Sequence, residues 1–281
     1  MVNGDINVTF WGVRGSRPVP GIHTIRFGGN TSCVQIQIGD RLFIFDAGSG
    51  IVDLGQYLLK KGKKISGEIF ISHTHWDHIQ GFPFFGPAFV KDNNFILYGQ
   101  GKMNQTFANL MRGQMEYTHF PVSLEQMGAA IDFREVDSGH DIDLGDGIIV
   151  KTIHNNHPGG SISYRLEYGG KSCCYVTDNE HYDDLDLNIC NFISGTDLVI
   201  IDTNYTDEEY LGTNGSFPRV GWGHSTWQEA IKLVKAAGLK KLALYHHDPF
   251  HTDSDMESIE QQARERYPDC FAAREGMSIT L

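Results

Sequence analysis

The chain has 281 residues, enough for one large domain or two small ones, and its 40% hydrophobic and 21% charged residues are those of a globular protein rather than a disordered one. Its formal net charge is −12, and its densest basic cluster (Lys60, Lys61, Lys63, Lys64) reads as a solvated helix end, which argues against a long nucleic acid as partner. No stretch approaches the roughly 18 apolar residues that span a bilayer, no basic-then-apolar leader is visible, and five cysteines without a Cys-x-x-Cys pair read as buried thiols of a cytoplasmic protein.

In chain order, strand-like runs fall at Ile6–Phe10, Val34–Ile38, Arg41–Phe45, Ile69–Ser72, Phe95–Tyr98, Ile148–Ile153, Ser161–Glu167, Cys173–Thr177, Leu198–Asp202, Leu242–His246 and Met277–Leu281. Some alternate, as in Val34-Gln-Ile-Gln-Ile38, and others are continuously apolar, as in Leu198-Val-Ile-Ile201. Both kinds together suit sheets with one face on a shared core and the other beneath helices. Helical periodicity is weak over Leu54–Lys61 and Met103–Met115. It is clear after the capping pattern Thr226-Trp-Gln-Glu229, with Gly238 as the stop, and again from Ser254 to before Pro268. The organisation changes once, at about residues 82–132, which are rich in Phe, Met and Gly. This segment reads as a lid or insertion within a single domain covering residues 1–281.

The apolar run Glu68-Ile-Phe-Ile71 is followed within a few residues by His73, His75, Asp77 and His78. Side chains of this type at one strand end converge on a small volume, and a pair of cations is the group that holds them there. Later strands also end on ligand-type residues. His157, with His154 as the alternative inward residue, follows Ile153; Asp178 follows Thr177; His246 and His247 follow Tyr245. His23, His119, His140, His181 and His251 read as ordinary surface or packing residues.

Phe10-Trp-Gly-Val-Arg-Gly-Ser16, Phe45-Asp-Ala-Gly-Ser-Gly50, the His73–His78 motif and Gly223-His-Ser-Thr226 together resemble the metallo-β-lactamase-fold hydrolases, within them the ribonuclease Z and phosphodiesterase branch. The resemblance implies an α/β fold, a four-layer αββα sandwich, with the site at one edge of two sheets. It implies that His73, His75 and His157 hold one metal, that Asp77, His78 and His246 hold a second, and that Asp178 bridges them. Zinc is the first expectation, with manganese and iron compatible with the same nitrogen and oxygen donors. It also implies a homodimer. His224, in the His-Ser-Thr motif, is expected to protonate the leaving oxygen, oriented by Asp202 where the branch usually has glutamate. Asp77 is expected to orient the nucleophile as well as ligate.

The phosphodiesterase branch is preferred because an alkoxide leaving group benefits from a positioned acid. Residues 82–132 carry aromatic side chains and no basic RNA-gripping arm. With the acidic charge, this points to a small phosphodiester, first of all a cyclic nucleotide. The alternatives are a ribonuclease Z-like RNA 3′-processing endonuclease and a lactone or thioester hydrolase.

Overall fold

The computed structural model describes residues 4–102 and 104–281. In chain order these residues form β1 (Ile6–Gly12), β2 (Cys33–Ile38), β3 (Arg41–Phe45), α1 (Gly50–Lys60), β4 (Ser66–Phe70), α2 (Trp76–Ile79), β5 (Asn94–Gly99), α3 (Phe107–Gly113) and β6 (Ala130–Glu135). There follow β7 (Ile142–Asp143), β8 (Ile149–Asn155), β9 (Ser161–Tyr168), β10 (Lys171–Val176), α4 (Leu187–Ile193), β11 (Leu198–Asp202), α5 (Asp207–Leu211), α6 (Trp227–Ala237), β12 (Leu242–Tyr245), α7 (Asp253–Arg266), β13 (Cys270–Ala272) and β14 (Ser278–Thr280). Met103, the expected start of one helix, and the opening residues Met1 to Asn3 lie outside the described residues.

Strand alternation builds the layers. One seven-stranded sheet runs β14-β1-β2-β3-β4-β5-β6 and the other β13-β12-β11-β10-β9-β8-β7. On β3, Phe43 and Phe45 face the other sheet while Leu42 and Ile44 face α1 and α3; on β11, Leu198 and Ile200 face inward while Val199 and Ile201 face α4, α6 and α7. The continuously apolar runs are strands buried on both faces. The result is the four-layer αββα sandwich of the metallo-β-lactamase type.

The sheets are fastened by aromatics from both. Phe70 stacks on Phe45 and Tyr98, with centroids at 5.2 and 4.8 Å, and Tyr164 crosses from the second sheet to within 5.4 Å of Phe70. The Tyr164 hydroxyl donates to the Ile71 carbonyl at 2.7 Å, and that of Tyr245 to the Gly12 carbonyl at 2.7 Å. These bonds satisfy hydroxyls that burial would otherwise penalise.

The segment at about 82–132, expected as an insertion, supplies β5 and the first half of β6, both paired in parallel within the first sheet. Its Phe82 and Phe85, and Phe107 and Met111 of α3, are core residues although they lie outside the strands. β6 was not evident in the sequence because Ala130-Ile-Asp-Phe-Arg-Glu135 is an edge strand with charged, exposed positions. No helix among the described residues is long and apolar enough to cross a membrane. All five cysteines are free and buried.

Phe70 sits where three aromatic contacts meet, so Phe70→Ala is expected to destabilise the fold by about 3–5 kcal/mol through lost burial and the cavity left. Urea denaturation reads this out; a loss under about 1 kcal/mol would mean the inter-sheet aromatics are not the main fastening.

Candidate metal centre

Strand direction gathers the site. β3 and β4 pair in parallel, as do β10, β11 and β12, so their C-terminal ends lie on one edge. β8 runs the same way as β10, because β9 is antiparallel to both. Asp46, the His73–His78 motif, His157, Asp178 and His246 follow such ends, and Asp202 is the last residue of β11. Asp46, Asp178 and His246 have φ of 61°, 53° and 59°, a left-handed conformation costing about 1–3 kcal/mol in a residue other than glycine. This turn swings each side chain off its strand and into the site.

Three overlapping groups of donors result. His73, His75, His157 and Asp178 form a first group with ligand atoms within 4.8 Å of one another, Asp77, His78 and His246 a second, and Asp178, Asp202, His224 and His246 meet the same distance as a third. Asp178 lies between the first two. Its Oδ1 is 3.2 Å from His78 Nε2 and 3.3 Å from His246 Nε2, and its Oδ2 is 3.6 Å from His73 Nε2 and 3.8 Å from His157 Nε2. The buried Nε2 atoms of His73 and His78 make no hydrogen bond of acceptable geometry. His157 Nε2 meets His75 Nδ1 at 3.1 Å and His246 Nε2 meets Asp77 Oδ2 at 3.2 Å, while the two unpartnered Nε2 atoms and the Asp178 oxygens crowd the same small volume; nitrogen and carboxylate donors so gathered suit a cation pair, so the residues fit the expected dinuclear centre.

The structure places one residue of each open pair in a donor group. His157, not His154, enters the first group, and His246, not His247, the second. His247 turns away: its Nε2 donates to the Ala273 carbonyl at 2.9 Å, and burial together with Arg14 lowers its pKa to about 3.

A surrounding layer fixes these rings. The Asp46 carboxylate accepts from the Ser72 amide at 2.7 Å, the Ser72 hydroxyl at 2.9 Å and the Tyr175 hydroxyl at 2.7 Å, and meets His78 Nδ1 at 2.7 Å. His157 Nδ1 donates to the Gly223 carbonyl at 2.9 Å. Only glycine fits at position 223, where φ is +89° and a Cβ would lie 2.1 Å from that same Nδ1. The Ser16 amide donates to Asp77 Oδ2 at 2.7 Å, which explains why the Phe10–Ser16 turn belongs to the site. Such contacts hold ligand orientation and tautomer.

His224 lies beside the centre, with Nδ1 2.8 Å from Asp202 Oδ2 and 3.8 Å from Asp178 Oδ2. The aspartate reaches the histidine as the longer glutamate would. Glu180 was not singled out in the sequence. It accepts from the Gly221 and Gly223 amides at 2.6 and 2.8 Å and from the Tyr210 hydroxyl at 2.6 Å, tying down the loop that leads into His224. Its partners are backbone amides, which leave no trace in side-chain patterns.

The imidazoles divide electrostatically. Burial lowers His73 well below its usual value, His75 to about 4, and His157 as well. For His78 burial also acts downward, but Asp178, Asp77 and Asp46 outweigh it and raise the pKa well above normal. The imidazoles of the first group are thus biased toward the neutral form, and His78 of the second toward the protonated one.

Over residues 41–247 the sequence matches the model of a beta-lactamase superfamily domain. It is 23% identical to the ribonuclease Z of Oceanobacillus iheyensis over 295 aligned residues, covering 88% of this chain and 92% of that protein. The fold superimposes on that of YhfI, a metallo-beta-lactamase fold protein of Bacillus subtilis, with a TM-score of 0.74 and 18% identity over 99% of this chain and 100% of that one. It also matches a diphosphatase of the PhnP family, with a TM-score of 0.69 and 18% identity over 98% and 97% of the two chains.

A cation entering the second group must displace the His78 proton, so divalent metal binding at pH 7 is expected to release protons and to tighten as pH rises through the His78 transition. Calorimetric titration with zinc in buffers of different ionisation enthalpy measures this. A binding enthalpy independent of the buffer would refute it.

Proposed function

The chain belongs to the beta-lactamase superfamily, and from that premise we propose that it is a two-cation phosphodiesterase whose leaving group is protonated by His224. In this reading His73, His75 and His157 hold one ion, Asp77, His78 and His246 the other, and Asp178 is shared, with zinc the first candidate. When bound, the ions supply a water of lowered pKa and charge to offset the phosphate oxygens. Asp77, braced by the Ser16 amide, orients the attacking water. His224 is braced by Asp202, which accepts from Nδ1 and leaves Nε2 as the proton-donating nitrogen. Burial lowers the His224 pKa, but Asp202, and behind it Asp178 and Asp77, outweigh burial and raise it to about 9. The acid is thus protonated at neutral pH and is lost as pH rises through that value.

The observation that carries this reading is the 2.8 Å His224–Asp202 pair at the edge of the metal centre. A thioester expels a weakly basic thiolate that needs no such acid; an alkoxide departing from phosphorus does.

For the substrate, the curated relatives favour RNA. Seven more, 20–24% identical, also bear the name ribonuclease Z. An endonuclease acting near RNA 3′ ends is therefore the first reading, ahead of a cyclic-nucleotide phosphodiesterase. The small-diester reading is kept by the net charge of −12 and by residues 82–132, whose basic side chains are Lys91, Lys102 and Arg112 alone. Lys102 is already spent on the Gly160 carbonyl, where it ties the stretch 100–129 to the loop after His157 in the manner of a lid.

His224→Ala is expected to lower kcat by about 10²–10⁴-fold with two metal ions per chain retained; unchanged turnover would remove the acid from the mechanism. The substrate is decided by assaying metal-reconstituted protein on a precursor tRNA, an unstructured RNA, and 2′,3′- and 3′,5′-cyclic nucleotides. Cleavage of the RNAs supports the first reading, whereas hydrolysis of cyclic nucleotides alone overturns it for the second.

A further inference from the structure

The metal motif has a second face. Thr74 and Trp76 alternate in sequence with His73, His75 and Asp77. They do not join the donor groups; they line a cavity of about 640 Å³ whose other walls include Phe84, Phe120, Gln114 and His119. That volume lies within the range of small-molecule sites, about 300–1,000 Å³. The cavity is therefore walled by residues one position away in sequence from His73, His75 and Asp77, although none of those three lines it.

Its composition is specific. Trp76 is 81% exposed and Phe84 59%, a large cost in apolar area for two aromatic rings, and it contrasts with the neighbouring Phe82 and Phe85, which are fully buried. Phe84 is held edge-on against Phe120 with centroids 5.3 Å apart, so its position is fixed without covering it. Trp76 sits in α2 between two site residues, so its backbone is fixed by the same turn that aims His75 and Asp77. Around these rings stand an amide, an imidazole and a hydroxyl (Gln114, His119, Thr74), the kinds of group that pair with the edge of a nucleobase. An aliphatic ester chain would use the apolar walls and leave these polar groups unpaired.

We propose that this cavity is a nucleobase subsite, in which a base attached to the scissile phosphodiester stacks on Trp76 and Phe84 while the phosphate lies at the metal centre. The proposal rests on the phosphodiesterase reading and holds equally for a nucleotide of RNA and for a small nucleotide diester. The subsite supplies selectivity for nucleosidic over simple diesters by binding energy remote from the reacting phosphorus.

The test compares two diesters with the same leaving group, thymidine 5′-(p-nitrophenyl phosphate) and methyl p-nitrophenyl phosphate, using metal-loaded protein. The kcat/KM ratio of the first to the second is expected to fall about tenfold in Trp76→Ala and in Phe84→Ala, the scale of one lost base–aromatic stack, and to be largely kept in Trp76→Phe. Hydrolysis of both diesters with the same ratio in wild type and both alanine variants overturns the subsite and leaves the phosphodiesterase reading standing. Where the wild type hydrolyses neither diester, that reading is overturned if the RNAs and cyclic nucleotides are also left intact. The subsite is then decided by equilibrium binding of AMP against ribose 5-phosphate: a preference for AMP lost in both alanine variants supports it, and a preference unchanged in them overturns it.

Discussion

The carboxylate of Asp178 is buried among four imidazole Nε2 atoms at 3.2 to 3.8 Å, and the electrostatic cost of keeping it there organises the edge of the sandwich. A carboxylate taken out of water costs several kcal/mol unless positive charge compensates it. Here Asp178 is held well below the usual carboxylate range, because His246, His78 and His73 outweigh its burial. The same logic applies to Asp77, which is likewise held low by His78 and His246 against burial. Protonated imidazole is a partial answer, since one buried proton cannot serve two groups of donors. Two divalent ions held by these donors would compensate both carboxylates.

Stability and function are separated across the fold. The aromatic layer between the sheets runs from Phe45 through Phe70 to Tyr98, whereas the three left-handed residues Asp46, Asp178 and His246 stand at the strand ends beside the site. Polar ties then run from that layer to the ligands. Tyr175 reaches up from the second sheet to Asp46, which meets His78. Asn204 donates to the His246 carbonyl at 2.7 Å, and Glu180 fixes the loop carrying Gly223 and His224. Each tie crosses between elements distant in sequence, so the centre is assembled only when both sheets are.

The sequence displayed the first metal motif openly because its donors are consecutive and follow a buried strand. The two-sheet architecture was equally visible in the contrast between alternating β2 and the unbroken apolar runs of β11. The choices between His154 and His157, and between His246 and His247, were not visible. Neighbouring residues at a strand end point to opposite sides, and a single left-handed turn at His246 decides which enters. Strand boundaries also drifted: the strand expected at Ile69–Ser72 runs from Ser66 to Phe70, and Ile71 and Ser72 already belong to the turn toward the ligands. β13 was missed because three residues are too short to show a period. α5 was overlooked although Thr206 and Glu209 form a capping box, since only five residues follow the cap.

The central claim is that one carboxylate serves two cations at the meeting point of both sheets. The most direct measurement is a crystal structure of the zinc-loaded protein with anomalous diffraction data collected on both sides of the zinc edge. Two anomalous peaks flanking Asp178, one within bonding distance of His73, His75 and His157 and one of Asp77, His78 and His246, are the predicted result. A single peak, or peaks that leave Asp178 unligated, would contradict the account.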